Sequence, residues 1–147
     1  MKKSLRELCT AIAICFCATG NLFATDNQFN TDHTMDKNLN LIKEWDKVFP
    51  QSDKVSHSKV TFRNRYGITL AADMYKPKHA DGKLPAIAIS GPFGAVKEQS
   101  SGLYAQKLAE RGFLTIAFDP SYTGESGGEP RYVASPDINT EDFSAAV

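Results

Sequence analysis

Residues 124–128, Gly-Glu-Ser-Gly-Gly, carry the spacing G-x-S-x-G, in which a serine on a strained turn can attack a carbonyl carbon. That chemistry needs the serine directly between a strand and a helix. Only there do the helix dipole and the neighbouring N–H groups face the reacting carbonyl. Around Ser126 the pattern differs: an apolar run has already ended at Asp119, and Glu129-Pro130 with more loop follows. Asp119, Gly124 and Ser126 are therefore read as structural loop residues, and Ser126 is not expected to be a nucleophile. A second loop, residues 91–94 (Gly-Pro-Phe-Gly), also follows an apolar run. Pro92 has no N–H, so Phe93, or failing that Gly94, is the candidate backbone donor to an anion. On the residues alone this loop reads either as such a donor or as a plain strand-to-helix turn. Phe93 stands where a dinucleotide fingerprint needs its second glycine, and no Gly-Lys-Ser/Thr follows, so nucleotide binding is not expected.

The elements that must position these loops lie between residues 84 and 128. Residues 84–90 (LPAIAIS) form a short apolar run, as in a strand covered on both faces. From about Gln99 to Arg111 the pattern turns helical, with Tyr104 and Leu108 four apart and Ala105 and Ala109 beside them. Gly112 suits a left-handed cap behind the cationic Arg111. Residues 113–118 (FLTIAF) are a second buried strand. Two buried strands joined by a helix make a parallel unit, and the fold class is α/β.

Upstream, residues 59–64 alternate and residues 68–75 form a further run, separated by Arg65-Tyr66-Gly67. They predict an antiparallel hairpin at the start of the sheet. Residues 37–58 are expected to hold a helix and a lead-in, because Leu41, Trp45, Val48 and Phe49 fall on one helical face before Pro50. Trp45 would dock that helix, with a lid role as the alternative. After a loop at residues 121–137, a helix is expected from Asn139 or Thr140, with Glu141 and Asp142 in its first turn. Val147 falls a turn or two into that helix and reads as a truncation point.

At the other end, Lys2, Lys3 and Arg6 precede an uncharged stretch with its apolar centre at residues 8–18. Residues 1–24 thus read as a secretory signal peptide, with an uncleaved anchor as the alternative, and residues 25–36 as a polar tether. The protein is expected to be exported, periplasmic or secreted, with no stable membrane span after cleavage. Cys9, Cys15 and Cys17 all lie in the leader, which leaves the rest without disulfides or cysteine ligands. The formal charge is zero over the chain and about −2 without the leader, and no basic cluster interleaves with aromatics. Nucleic acid is not an expected partner. His33, His57 and His79 read as solvated residues whose spacing suits no metal site, and no cofactor is expected. Asp119, Asp137 and Glu141 read as strand-end, loop and helix-start residues.

Four strings together resemble the α/β-hydrolase superfamily: residues 49–55 (FPQSDKV), 60–70 (VTFRNRYGITL), 91–99 (GPFGAVKEQ), and 118–131 (Phe-Asp through GESGGEPR). The likeness is to its exported branch related to dienelactone hydrolases and Xaa-Pro-peptidase-like acyl hydrolases. It covers nearly all of residues 49–147 and makes 59–147 the first part of such a domain, broken off before the nucleophile elbow. The resemblance implies that the loop at 91–94 supplies one N–H of an oxyanion hole, through Phe93 or Gly94. Losing such a donor costs about 3 kcal/mol of transition-state stabilisation. It also implies a loop of pattern D-x-R-G-x-G-x-S. Here Asp119, Gly124 and Ser126 are kept, while Ser121 replaces the arginine and Tyr122 the first glycine. A triad in this family runs nucleophile, acid, histidine, and no histidine lies beyond His79.

The chain is therefore expected to hold no catalytic residue of its own. A serine or cysteine nucleophile, an acid and a histidine would all come after Val147 and act on a small ester or acyl substrate. The alternative is a small non-catalytic binding or structural protein derived from the hydrolase front end. In the family's strand order residues 84–90 would be covered by the absent nucleophile-bearing strand. The resemblance therefore implies an open apolar edge that favours self-association of the fragment. A monomeric, cooperatively melting chain would favour the alternative.

Overall fold

The computed structural model describes residues 39–147. The leader, the tether and the first residues of the expected N-terminal helix lie outside the described residues, as does His33. The described elements are β1 (Val55–Arg63), β2 (Thr69–Pro77), β3 (Ala86–Ile89), α1 (Ser100–Ala109), β4 (Leu114–Phe118) and α2 (Pro136–Ala145). None of these helices is long and apolar enough to cross a membrane.

β1 and β2 form the expected antiparallel hairpin, in register from Val55 opposite Pro77 to Arg63 opposite Thr69. Asn64 closes its turn: the side-chain carbonyl accepts from the Tyr66 and Ile68 N–H groups, both at 3.0 Å. The sheet order is β1-β2-β4-β3. β2 pairs antiparallel with β4, and β3 pairs parallel with β4. The strand–helix–strand unit is thus present, with β3 on the free edge and only partly covered.

The period-2 alternation sorts side chains between two faces. On one face Leu70, Ala72 and Phe118 are buried together, with Val60, Phe62 and Ala146 against them. There Phe118 meets Phe143 of α2 edge-on at 4.9 Å between ring centroids. On the other face Val55, Tyr75 and Ala117 pack against Ala105 and Ala109 of α1. Alanine at both helix positions lets α1 lie close to the sheet, and the Thr115 hydroxyl donates to the Ala105 carbonyl at 2.9 Å. Tyr104, grouped with the buried residues by its spacing, is exposed instead. Ser101, Gly102 and Gln106 take the inner face with the two alanines.

The expected helix over residues 37–49 is not formed: residues 39–50 hold no helix. The i,i+4 pair is real but is satisfied by a side chain, because the Trp45 indole N–H donates to the Phe49 carbonyl at 2.8 Å. The Val48 amide bonds the Glu98 carbonyl at 3.1 Å, which leaves the Val48 side chain exposed. Trp45 nonetheless docks this segment onto the α1-side core, edge-on to Phe49 and His57.

The last helix also begins earlier than expected. Pro136 opens it, since a fixed φ near −65° and a missing N–H both suit a first turn. The Thr140 hydroxyl donates back to the Pro136 carbonyl at 2.8 Å and caps nothing. Glu141 and Asp142 are therefore mid-helix and buried, not first-turn anions.

Candidate functional site

A cavity of about 530 Å³ opens where the chain leaves the C-terminal ends of β3 and β4. In parallel α/β sheets this is where ligands bind. One wall is the loop from Gly91 to Val96. The other comprises Pro120, Thr123 and Gly124, with Tyr132 to Ala134 and Asn139 completing it. The Ala95 amide donates to the Pro92 carbonyl at 3.0 Å, so residues 92–95 form a tight turn. Gly94 sits at φ +80°, a value that disfavours any residue with a Cβ. At the middle of this turn the Phe93 and Gly94 amides find no acceptor among the described residues. The two sequence-predicted donors are thus unengaged N–H groups in a cavity wall, with the Phe93 side chain exposed beside them.

The second predicted group is arranged otherwise. The Ser126 hydroxyl is buried; it donates to the Asp119 carbonyl at 2.7 Å and accepts from the Ala71 amide at 2.9 Å. No helix follows it until α2. Asp119 is fully buried at the end of β4. One carboxylate oxygen accepts from the Lys97 amide at 2.8 Å, the other from the Lys97 ammonium at 2.7 Å and the Glu125 amide at 3.0 Å. Gly124, at φ +53°, lies against that carboxylate. A Cβ there would stand 2.2 Å from Asp119 Oδ2, so the position admits only glycine. Asp119 is thus more than the strand-end residue it was expected to be.

Two positions where the sequence leaves the D-x-R-G-x-G-x-S pattern show what replaced it. Tyr122, in place of the first glycine, keeps a glycine-like φ of +70°, a strained value for a bulky residue. It is held there by its N–H to the Gly127 carbonyl at 2.8 Å. Ser121, in place of the arginine, is buried and donates to Asp142 from both its amide and its hydroxyl, each at 2.8 Å. Asn64 Nδ2 also reaches Asp142, which ties the hairpin turn to α2.

Sequence reasoning missed a buried charge network beneath the site. His57 is not a solvated residue ahead of the first strand: it lies in β1, and its Nε2 meets Asp73 at 2.8 Å. His79 is exposed in a turn, as expected. Lys47 lies 2.9 Å from the second Asp73 oxygen, out of hydrogen-bond alignment, and 2.5 Å from Asp46. Lys59 bridges Asp46 at 3.2 Å and Glu125 at 2.6 Å. Lys97 meets Glu98 and Glu125 as well as Asp119. Asp46, Glu98 and Glu125 bring carboxylate oxygens within 4.8 Å of one another. The Lys59 and Lys97 ammonium groups already balance that charge from within, so these residues do not suit a metal ion.

Burial alone would raise the Asp73 carboxyl. The hydrogen bond to His57 and the charge of the adjacent Lys47 ammonium outweigh it and hold Asp73 below its ordinary value. Glu125 is held down in the same way, burial being outweighed by the Ile42 amide, Lys59 and Lys97. So is Asp46, through Lys47 and Lys59. A carboxyl depressed in the fold contributes stability above its unfolded value, and that contribution is lost as pH falls through the folded one. The urea midpoint should therefore fall between about pH 6 and about pH 3, with most of the change below about pH 4.5. A flat midpoint over that range would contradict the network.

Residues 66–147 match the family model described as X-Pro dipeptidyl-peptidase (S15 family). Over 137 residues the chain is 68% identical to the uncharacterised protein PA2218 of Pseudomonas aeruginosa, covering 92% of this chain and 36% of that one. The crystal structure of that protein superposes with a TM-score of 0.72 at 78% identity, over 74% of this chain and 34% of the other. Thiohydrolase aneE of Aspergillus aculeatus is 32% identical over 96 residues, 65% of this chain and 29% of that protein. The α/β hydrolase GrgF from Penicillium sp. sh18 superposes with a TM-score of 0.57 at 27% identity, over 62% and 30% of the two chains. The chain thus spans about a third of the length of the relatives it matches.

Proposed function

The chain belongs to the X-Pro dipeptidyl-peptidase (S15) family of α/β-hydrolases, and from that premise we propose that it forms the anion-cradling front of an exported hydrolase acting on ester or related acyl bonds. The observation that carries this reading is the pair of unengaged amides at Phe93 and Gly94, in a cavity at the C-terminal ends of β3 and β4. Either N–H group, held in place before the reaction, can serve as one donor to the oxyanion of a tetrahedral intermediate without reorganising. A relative by sequence, aneE, is named a thiohydrolase, which supports the hydrolase reading. The dienelactone-hydrolase likeness rests on the sequence strings alone.

On this reading the nucleophile, acid and histidine belong to the part of the relatives that lies beyond the matched segment. Ser126, engaged on both sides of its hydroxyl, holds Asp119 and β2 together. The 147-residue chain alone is inactive and needs no cofactor. The test is hydrolysis of p-nitrophenyl acetate, with fluorophosphonate labelling. The chain by itself should give neither. The same chain joined to the segment that follows the matched region in PA2218 should give both. Labelling of the chain alone, abolished by Ser126→Ala, would overturn the proposal.

A further inference from the structure

The Gly91–Val96 loop has few bonds of its own, so something else must fix where its amides point. Its near end closes on itself: a Cβ at Gly91 would stand 2.9 Å from Ala95 Cβ. Its far end runs into Lys97, whose side chain is wholly buried. Lys97 grips Asp119 twice, by its amide at 2.8 Å and its ammonium at 2.7 Å. Asp119 in turn accepts from the Glu125 amide, next in the chain to Gly124 of the facing wall. The ammonium also meets Glu98 at 2.5 Å and Glu125 at 2.7 Å.

We propose that Lys97 is the positioning residue of the donor loop, locking the segment that carries the Phe93 and Gly94 amides to Asp119 and, through it, to the opposite wall. The proposal rests on the reading of that loop as an oxyanion donor, and deepens it. Lys97 touches no substrate; it acts through the backbone it anchors. Burial alone would push its ammonium down, but the charge of Asp119 and hydrogen bonds to Asp119, Glu125 and Glu98 more than offset this. Lys97 therefore stays charged, and the lock is not released near neutral pH. An uncharged side chain could not satisfy three carboxylates at once, and the loop's far end would keep only the backbone half of the grip.

The test is the backbone ¹⁵N order parameter of Phe93 and Gly94 in the 147-residue chain and in Lys97→Met. In the parent both should lie near about 0.85, and in the variant they should drop below about 0.6, while α1 and β4 stay rigid. Unchanged values at Phe93 and Gly94 would overturn the proposal. So would an equal loss throughout the sheet, which would make Lys97 a general support. If Lys97→Met does not fold, Lys97→Gln, which can still donate to one carboxylate, is read by the same criterion. Failure of both to fold counts against the proposal in the same way as a uniform loss. The measurement involves no turnover, so the loop's dependence on Lys97 and the loop's part in hydrolysis can fail separately.

Discussion

Asp119→Ala is expected to remove about 3–5 kcal/mol of stability, the usual cost of deleting one partner from a buried ion pair. Against a total of about 5–15 kcal/mol for a folded domain, that leaves the chain marginal or unfolded at room temperature. The carboxylate is fully buried and takes the Lys97 ammonium and two amides, those of Lys97 and Glu125. Alanine would leave both amides without their acceptor and the ammonium among fewer carboxylates than it now has. The space against Gly124, which now has no room for a Cβ, would open as well. Urea denaturation followed by circular dichroism measures the loss, and a change below about 1 kcal/mol would contradict the role given to this residue. Asp119→Ala combined with Lys97→Met should cost less than the two separate losses added, because the pair fails as a unit.

The parts of this fold that sequence exposes are those whose partners are neighbours in the chain. β3, α1 and β4 follow from two apolar runs and an intervening helical period. The hairpin follows from alternation around Arg65-Tyr66-Gly67, and its register confirms the pairing. The burial of the hairpin's charged face is not legible in the sequence, because alternation reports only which side chains are apolar. His57 and Lys59 stand on the side opposite Val60 and Phe62, where a two-stranded ribbon would face water. Here the residue 39–50 segment and α1 cover that side instead. What allows the burial is complementary charge: Lys59 meets Glu125, 66 residues away in sequence, and Lys97 meets Asp119, 22 residues away. No local pattern reports such partners. The missing helix before Pro50 has a related cause, since the indole N–H and a distant carbonyl satisfied groups that a helix would have used. Tyr122 shows the reverse case: the backbone keeps a φ of +70° that the residue type argues against. There the loop's hydrogen bonds dictate the conformation and the side chain conforms to it.

Phe93→Pro should lower kcat of the joined hydrolase by about 10²–10³-fold, the cost of removing one oxyanion donor. The substitution is aimed at a single atom. Proline deletes the amide hydrogen, while the exposed Phe93 side chain contributes little burial that could be lost. The 92–95 turn is closed by the Ala95 amide and the Pro92 carbonyl, neither of which is altered. KM should change little, because the donor is called on when charge develops on the oxygen and less when the ground-state carbonyl binds. Phe93→Ala supplies the contrast: it removes the ring and keeps the N–H, so it should retain kcat to within a few-fold. Equal losses from alanine and proline would place the effect in the ring. An unchanged kcat in Phe93→Pro would remove Phe93 from the role and leave Gly94 to supply this loop's donor. A fall in kcat confined to proline would assign the oxyanion contact to the Phe93 amide. It would also explain why the loop beside the cavity is built on Pro92, which has no N–H to compete, and on Gly94, whose positive φ suits the turn closed by the Ala95 amide and the Pro92 carbonyl.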